Sequence, residues 1–321
     1  MQASLRGRVR RNAIAYVFVA PTLVTMLLVH FIPGAQGMYM SFLDLKQVNL
    51  LLYLRAPFIG LAHYQQILGV FFGSDDANVA ALGQALNNTL WYTFWVDAGT
   101  LGLGLALALL LHRRFRGVGL ARTLVLLPWV MPTFVVGIAW NLIWLQDGGL
   151  ANHLLVDWLG VLHFRPAWLT GPASFWALVI PSIWRTLPFT SVMLLAGLQV
   201  IPTDLYEAAR VDGATGLDRF RYITLPFLMP VLSVLVLFGT VFNLIGGQGY
   251  NISASMFAAG SGAAVNGGRF ADLIVPAIVR QSFERQLFGY GAAASVVVML
   301  ILLVLVGVWY RGFRSAATTA D

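Results

Sequence analysis

The stretch Thr203-Asp204-Leu205-Tyr206-Glu207-Ala208-Ala209-Arg210-Val211-Asp212-Gly213-Ala214, followed shortly by Ile223-Thr224-Leu225-Pro226, is a polar island between two long apolar runs. It holds Asp204, Glu207, Asp212 and Asp218, four of the thirteen acidic residues in a chain of 321, together with Arg210, Arg219 and Arg221. So many charges must sit in water, and a charged segment punctuated by Gly and Pro commonly serves a partner. Local chemistry predicts two short helices. Thr203 or Asp204 can cap the first, with Glu207 in capping-box spacing after Asp204, and Gly213 ends it. Thr215 can cap the second, Asp218 favours its positive end, and Pro226 can open the next apolar helix at a first-turn position.

Around the island, 59% of residues are hydrophobic and only 10% charged, with a mean hydropathy of +0.77. Soluble domains carry about 25% charged residues, so this chain belongs in a lipid bilayer. Its net charge of +7 does not indicate nucleic acid, because the cations fall at the ends of apolar runs and not on a soluble face. There are no cysteines, which excludes disulfides and cysteine-ligated metals.

Crossing about 30 Å of hydrocarbon takes roughly 20 helical residues. Six runs qualify, near Ile14–Ile32, Asn88–Leu111, Ala121–Leu145, Phe175–Gln199, Phe227–Ile245 and Gly289–Tyr310. Every backbone amide inside lipid must bond within its own segment, so these are helices, and none shows the alternation of a membrane barrel. The expected fold is an all-α polytopic membrane protein, one transmembrane domain over 1–321, with the island at 203–226 between helices four and five. The basic start before Ile14 also resembles a secretory signal, but the apolar run is longer than an h-region and Pro33-Gly34-Ala35 is a poor cleavage site, so a retained helix is expected.

Cationic loops near span ends stay on the cytoplasmic side. Arg6, Arg8, Arg10 and Arg11 put the N-terminus inside; alternation then places Arg113, Arg114, Arg116 and Arg122 inside, then the island, and finally Arg311 and Arg314. Both termini are expected in the cytoplasm.

Glu-Ala-Ala, three residues, Gly, nine residues and Ile-x-Leu-Pro together resemble the EAA loop of permease subunits in binding-protein-dependent ABC importers, at every position of that pattern. The resemblance extends over most of the chain. The Gly148-Gly149-Leu150-Ala151-Asn152 turn and the Ala20-Pro21 start are similar to the carbohydrate branch, in particular the larger permease of maltose, lactose and glycerol-phosphate systems, without the extra N-terminal helices and large external domain of the enteric maltose version. It implies that Glu207, Ala208, Ala209, Asp212 and Gly213 couple to a cytoplasmic ATPase, the glutamate meeting a basic residue in a surface cleft. It also implies a dimer of ATPase subunits that bind ATP and Mg, a second homologous permease, an extracytoplasmic sugar-binding protein, and residence in the inner membrane. The implied activity is ATP-driven import of a sugar, a di- or oligosaccharide, by alternating access; glycerol phosphate or another small solute is the alternative, and an ion-driven carrier the rival class.

What the chain lacks fits that division of labour. A P-loop needs Gly-Lys followed by Ser or Thr, and the sole lysine is Lys46 in the first external loop. Gly260-Ser261-Gly262 could be read as a serine nucleophile, but no histidine lies in a later helix to serve as base. There is no His-Glu-x-x-His for a zinc protease. No enzymatic site and no cofactor of its own are expected.

Polar residues inside spans are costly and point to a pathway. Ser182, Arg185, Thr186 and Phe189 share one face of helix four, which by resemblance lines the central sugar cavity. Phe242-Asn243 on helix five matches a family aromatic–asparagine pair, flanked by Gly239 and Gly246: an amide can serve hydroxyls and an aromatic face can pack on a sugar's C–H surface. Each also has a plain structural reading as packing or intrahelical bonding. Asp97 in helix two lies at a depth comparable with Arg185, which permits an intramembrane pair. Trp140, Asn141 and Trp144 could extend the surface, with Trp144 expected in the interfacial belt. Gly99, Gly102, Gly104, Ala106 and Ala108 predict close helix packing.

Overall fold

The computed structural model describes residues 13–72, 75–113, 115–257, 264–265 and 268–318. Gly260-Ser261-Gly262, Arg6, Arg8, Arg10, Arg11 and Arg114 lie outside them. In chain order the main helices are α1 (Ala13–Met26), α2 (Ile32–Met40), α3 (Ala62–Phe72), α4 (Ala77–His112), α5 (Val118–Val125), α6 (Leu127–Val130) and α7 (Thr133–Trp144). Then come α8 (Ala173–Val200), α9 (Thr203–Val211), α10 (Gly216–Arg219), α11 (Leu225–Leu244), α12 (Gly247–Met256), α13 (Ile274–Val279) and α14 (Phe288–Thr318). Among the described residues five helical runs are long and apolar enough to cross a membrane, and a sixth is counted if the bent run from Val118 to Trp144 is one span. The protein is an all-helical polytopic membrane protein.

The chain divides into two compact units, one of Met1–Leu68 with Val279–Val297, the other of Gly69–Ile278 with Val298–Asp321. In the smaller, α1 runs through a wider turn at Leu27–Phe31 into α2, so the first span reaches Met40 and not Ile32. Behind it Leu43 and Leu45 are buried, Asp44 N–H donates to Pro57 O at 2.9 Å, and Gly289 N–H donates to Leu45 O at 3.1 Å.

In the larger unit α4 is 36 residues long, about 54 Å at 1.5 Å per residue. It starts well before the expected Asn88, because Asp76 accepts from Asn78 N–H at 2.7 Å as N-cap and Val79, Ala81, Leu82 and Ala85 are buried. Helices α4 and α8 form the main packed pair. A Cβ on Gly104 would stand 2.9 Å from Thr190 Cγ2, and one on Gly99 would meet Ile183, so these glycines admit the close approach their sequence predicted. Gly102 faces open space instead.

The expected third span is broken. Met131 is extended (φ −65°, ψ 134°) because the ring of Pro132 disfavours helical backbone before it, and the two halves bend by 93°. The fifth span begins earlier than expected: α10 runs through a wider turn at Phe220–Thr224 into α11, giving one helical run from Gly216 to Leu244. Pro226 therefore lies inside this run, just after the wider turn, and does not open the span as its sequence position suggested.

Candidate functional site

A cavity of about 160 Å³ lies within the larger unit. Helix α4 contributes Asp97 and Thr100, α8 contributes Arg185, Thr186, Phe189 and Thr190, α11 contributes Phe238, Gly239, Phe242 and Asn243, and α12 contributes Gln248. One wall is aromatic. Trp129 stacks on Phe189 with centroids 6.0 Å apart, Phe189 meets Phe238 at 6.1 Å, and Phe238 lies parallel to Phe242 at 5.7 Å and 10°. The rest of the wall is mostly polar.

Asp97 is the anchor of that wall. Its Oδ1 accepts from Asn243 Nδ2 at 3.0 Å and its Oδ2 from Thr240 Oγ1 at 3.0 Å, so two residues on α11 hold a carboxylate carried by α4. Thr240 and Asn243, three positions apart, share one helix face. Gly239 completes the seat, because a Cβ there would run into the Asp97 carboxylate.

Gln248 organises the other end. Its Nε2 donates to Thr186 Oγ1 at 2.6 Å and to Ser182 O at 3.1 Å, while its Oε1 accepts from Arg185 Nη1 at 3.3 Å. Arg185 Nε donates to Met131 O at 3.4 Å, so the carbonyl freed by the proline break at membrane depth finds a donor. Gln248 reaches the cavity because the chain turns at Gly246 (φ +84°) and re-enters a helix, where sequence had placed an external loop. The signal was the Gly246-Gly247 break directly after the apolar run.

Most of the expected pathway residues gather here: Arg185, Thr186, Phe189, Phe242 and Asn243 all line the cavity. Ser182 does not. It is fully buried, donates to Leu178 O at 2.9 Å and accepts from Tyr92 Oη at 2.9 Å, so its hydroxyl is spent on helix packing. Asp97 and Arg185 line one cavity without pairing; Asp97 is satisfied by neutral donors from α11 and Arg185 by neutral acceptors. Trp144 is buried and donates Nε1–H to Ala177 O at 3.1 Å, with Trp140 and Trp168 tilted against it at 5.3 and 5.2 Å. Asn141 donates to Met256 O at 2.6 Å and fixes the end of α12. Sequence reasoning did not find Gln248, Thr240, Trp129 or Phe238.

The polar island forms the expected pair of short helices, α9 and α10. No side chain caps α9: Pro202, with extended backbone, precedes Thr203 and leaves the Asp204 carboxylate in the first turn, where it favours the positive helix end. Gly213 (φ +79°) closes the helix, with its N–H donating to Arg210 O at 3.2 Å and Ala214 N–H to Ala209 O at 2.8 Å, a turn that L side chains rarely adopt. Thr215 caps α10 as expected, and Asp218 adds the reciprocal bond of a capping box that the sequence had suggested for Asp204 and Glu207 instead. Glu207 is two-thirds exposed and reaches Arg210 only at 3.8 Å, a contact worth little in water. Ala208 and Asp212 are likewise exposed, and Ala209 is partly covered.

Comparison with known proteins places this architecture. The family model for the binding-protein-dependent transport system inner membrane component matches residues 100–316. The trehalose/maltose transport system permease protein of Thermococcus litoralis is 36% identical over 236 residues, covering 72% of this chain and 74% of that one. The sulfoquinovosyl glycerol transport system permease protein of Agrobacterium fabrum is 31% identical over 305 residues, covering 94% and 91%. The fold matches a bacterial alginate ABC transporter, solved with an alginate pentasaccharide-bound periplasmic protein, with a TM-score of 0.76, 23% identity and 96% of each chain covered. These relatives are transport system permease proteins. The chain thus belongs to the family of inner-membrane permease components of binding-protein-dependent ABC importers.

Proposed function

We propose that this chain is one of two permease halves of an ATP-driven sugar importer that works by alternating access, with a di- or oligosaccharide as cargo. The observation that carries this reading is the cavity lined both by the aromatic run Trp129–Phe189–Phe238–Phe242 and by Asp97, Arg185, Thr186 and Gln248. A pyranose has apolar C–H faces and a polar rim of hydroxyls, and this wall pairing suits both. The sugar names of the relatives support it.

In this scheme an extracytoplasmic binding protein delivers the sugar, and a dimer of cytoplasmic ATPase subunits closes on ATP and Mg. Helix α9 carries that motion to the spans through Glu207, Ala208, Ala209, Asp212 and Gly213. Basic segments at Arg113, Arg116 and Arg122 and at Arg210, Arg219 and Arg221 support an inside location for the island and for both termini. A second homologous permease supplies the rest of the pore.

The test is uptake of labelled oligosaccharides into proteoliposomes holding the assembled transporter. Uptake should require ATP and the binding protein, and Phe242→Ala and Thr186→Ala should raise the apparent KM by about tenfold, the effect of roughly 1.4 kcal/mol of lost contact. Uptake driven by an ion gradient without ATP would refute the reading.

A further inference from the structure

A second pocket, of about 480 Å³, lies at the other end of the larger unit, where α4 ends and the α9–α10 pair meets the spans. Arg113, Arg219 and His112 line it together with the apolar side chains of Leu109, Leu198 and Phe220, and no carboxylate does. Among the described residues the Arg219 guanidinium makes a single hydrogen bond, from Nε to Thr215 O at 3.3 Å, which leaves its Nη groups available. The Arg113 side chain has no hydrogen bond or ion pair among the described residues. Of the neighbouring carboxylates, Asp218 is engaged with Thr215, and Glu207 is an exposed side chain outside the pocket lining.

Two guanidinium groups with no carboxylate partner among the described residues, set beside apolar side chains at the end of membrane helices, match an amphipathic anion. Arginine holds phosphate oxygens through paired N–H donors, and basic pockets between helix ends on the cytoplasmic side suit anionic lipid headgroups. We propose that this pocket binds the phosphodiester headgroup of an anionic phospholipid, with Arg113 and Arg219 on the phosphate and Leu109, Leu198 and Phe220 against the first acyl carbons. Assignment to the inner leaflet rests on the orientation proposed above; the chemistry of the pocket does not.

Occupancy would bear on the island directly. Tyr206, which also lines the pocket, shares a hydrogen bond of 2.9 Å with Thr224 and immediately precedes Glu207. A lipid seated between Arg113, just after α4, and Arg219 on α10 therefore ties α9 and α10 to the membrane helices.

The test is native mass spectrometry of the assembled transporter in nanodiscs of phosphatidylcholine titrated with phosphatidylglycerol. The wild type should retain phosphatidylglycerol selectively, and Arg113→Gln with Arg219→Gln should lower its apparent affinity by roughly thirty-fold, the effect of two surface cations. Arg113→Lys with Arg219→Lys should restore most of the binding and show that the chain still folds, and Arg116→Gln, outside the pocket, should leave binding unchanged. Equal retention of phosphatidylcholine, equal binding by the glutamine variant, or displacement by millimolar inorganic phosphate would overturn the proposal. None of these outcomes depends on sugar uptake, so failure here is distinct from failure of the import reading.

Discussion

Asn243 on α11 donates its side-chain amide to the carboxylate of Asp97 on α4 at 3.0 Å, across 146 positions of sequence. With the Thr240 hydroxyl on the other carboxylate oxygen, this one acceptor holds two spans together at the edge of the cavity. The asparagine predicted as a substrate contact thus serves first to seat an acid. Asp97→Ala removes both bonds and strands two donors, at a cost of about 1–3 kcal/mol. Thermal unfolding in detergent should show a lowered Tm for Asp97→Ala and a smaller loss for Asp97→Asn, which keeps one acceptor. An unchanged Tm for both would show that the contact is not structural.

Gly239 and Gly102 separate steric need from mere smallness. A Cβ at 239 meets the Asp97 carboxylate, whereas one at 102 meets nothing. Overpacking of this kind typically costs about 1–3 kcal/mol. Gly239→Ala should lower stability and cargo uptake together, while Gly102→Ala should do neither. Equal effects in a stability assay would remove the argument.

The segment after α7 offers a pH test away from the cavity. Asp157 accepts from His153 Nδ1 at 2.6 Å and from Arg165 Nη2 at 3.0 Å, and these two bonds, His153's first, hold its carboxyl below the usual range. A depressed acid contributes order that is fully present above its unfolded value, about 3.9, and is lost as pH falls through the lower folded value. Protease cleavage between residues 146 and 168 should therefore stay slow at neutral pH and accelerate below about pH 4. Asp157→Asn should show fast cleavage already at neutral pH, and a flat profile in both proteins would refute the link.

The spans and the island were legible because they rest on local signals: unbroken apolar runs, an arginine pattern, and Gly213 and Thr215 at positions where backbone geometry demands them. The 93° break at Pro132 was hidden inside an apolar run whose hydropathy does not register direction. Gln248 was missed because hydropathy ends the span at the Gly246-Gly247 pair, although helical backbone resumes there. Ser182 was on the expected face, but its burial against Tyr92 depends on a residue 90 positions away that no local period can reveal. Likewise Asp97 and Arg185 line one cavity, yet Asp97 takes its partners from α11 and Arg185 from Gln248 on α12 and the Met131 carbonyl.

Glu207 and Gly213 separate contact from shape within the island. The Glu207 side chain is mostly exposed, with one weak neighbour, so Glu207→Ala should leave expression, membrane insertion and Tm unchanged within about 0.5 kcal/mol. If α9 docks an ATPase, the same variant should lose most ATP-driven uptake and most ATPase stimulation by loaded binding protein. Gly213→Ala acts differently: no atom lies within 4 Å of the added methyl, so its cost is the left-handed backbone alone, about 1–2 kcal/mol. It should loosen the end of α9, seen as faster hydrogen exchange near 210–214, with only a partial loss of coupling. Full ATP-coupled uptake by Glu207→Ala would remove α9 as the docking element even if Gly213→Ala behaved as expected.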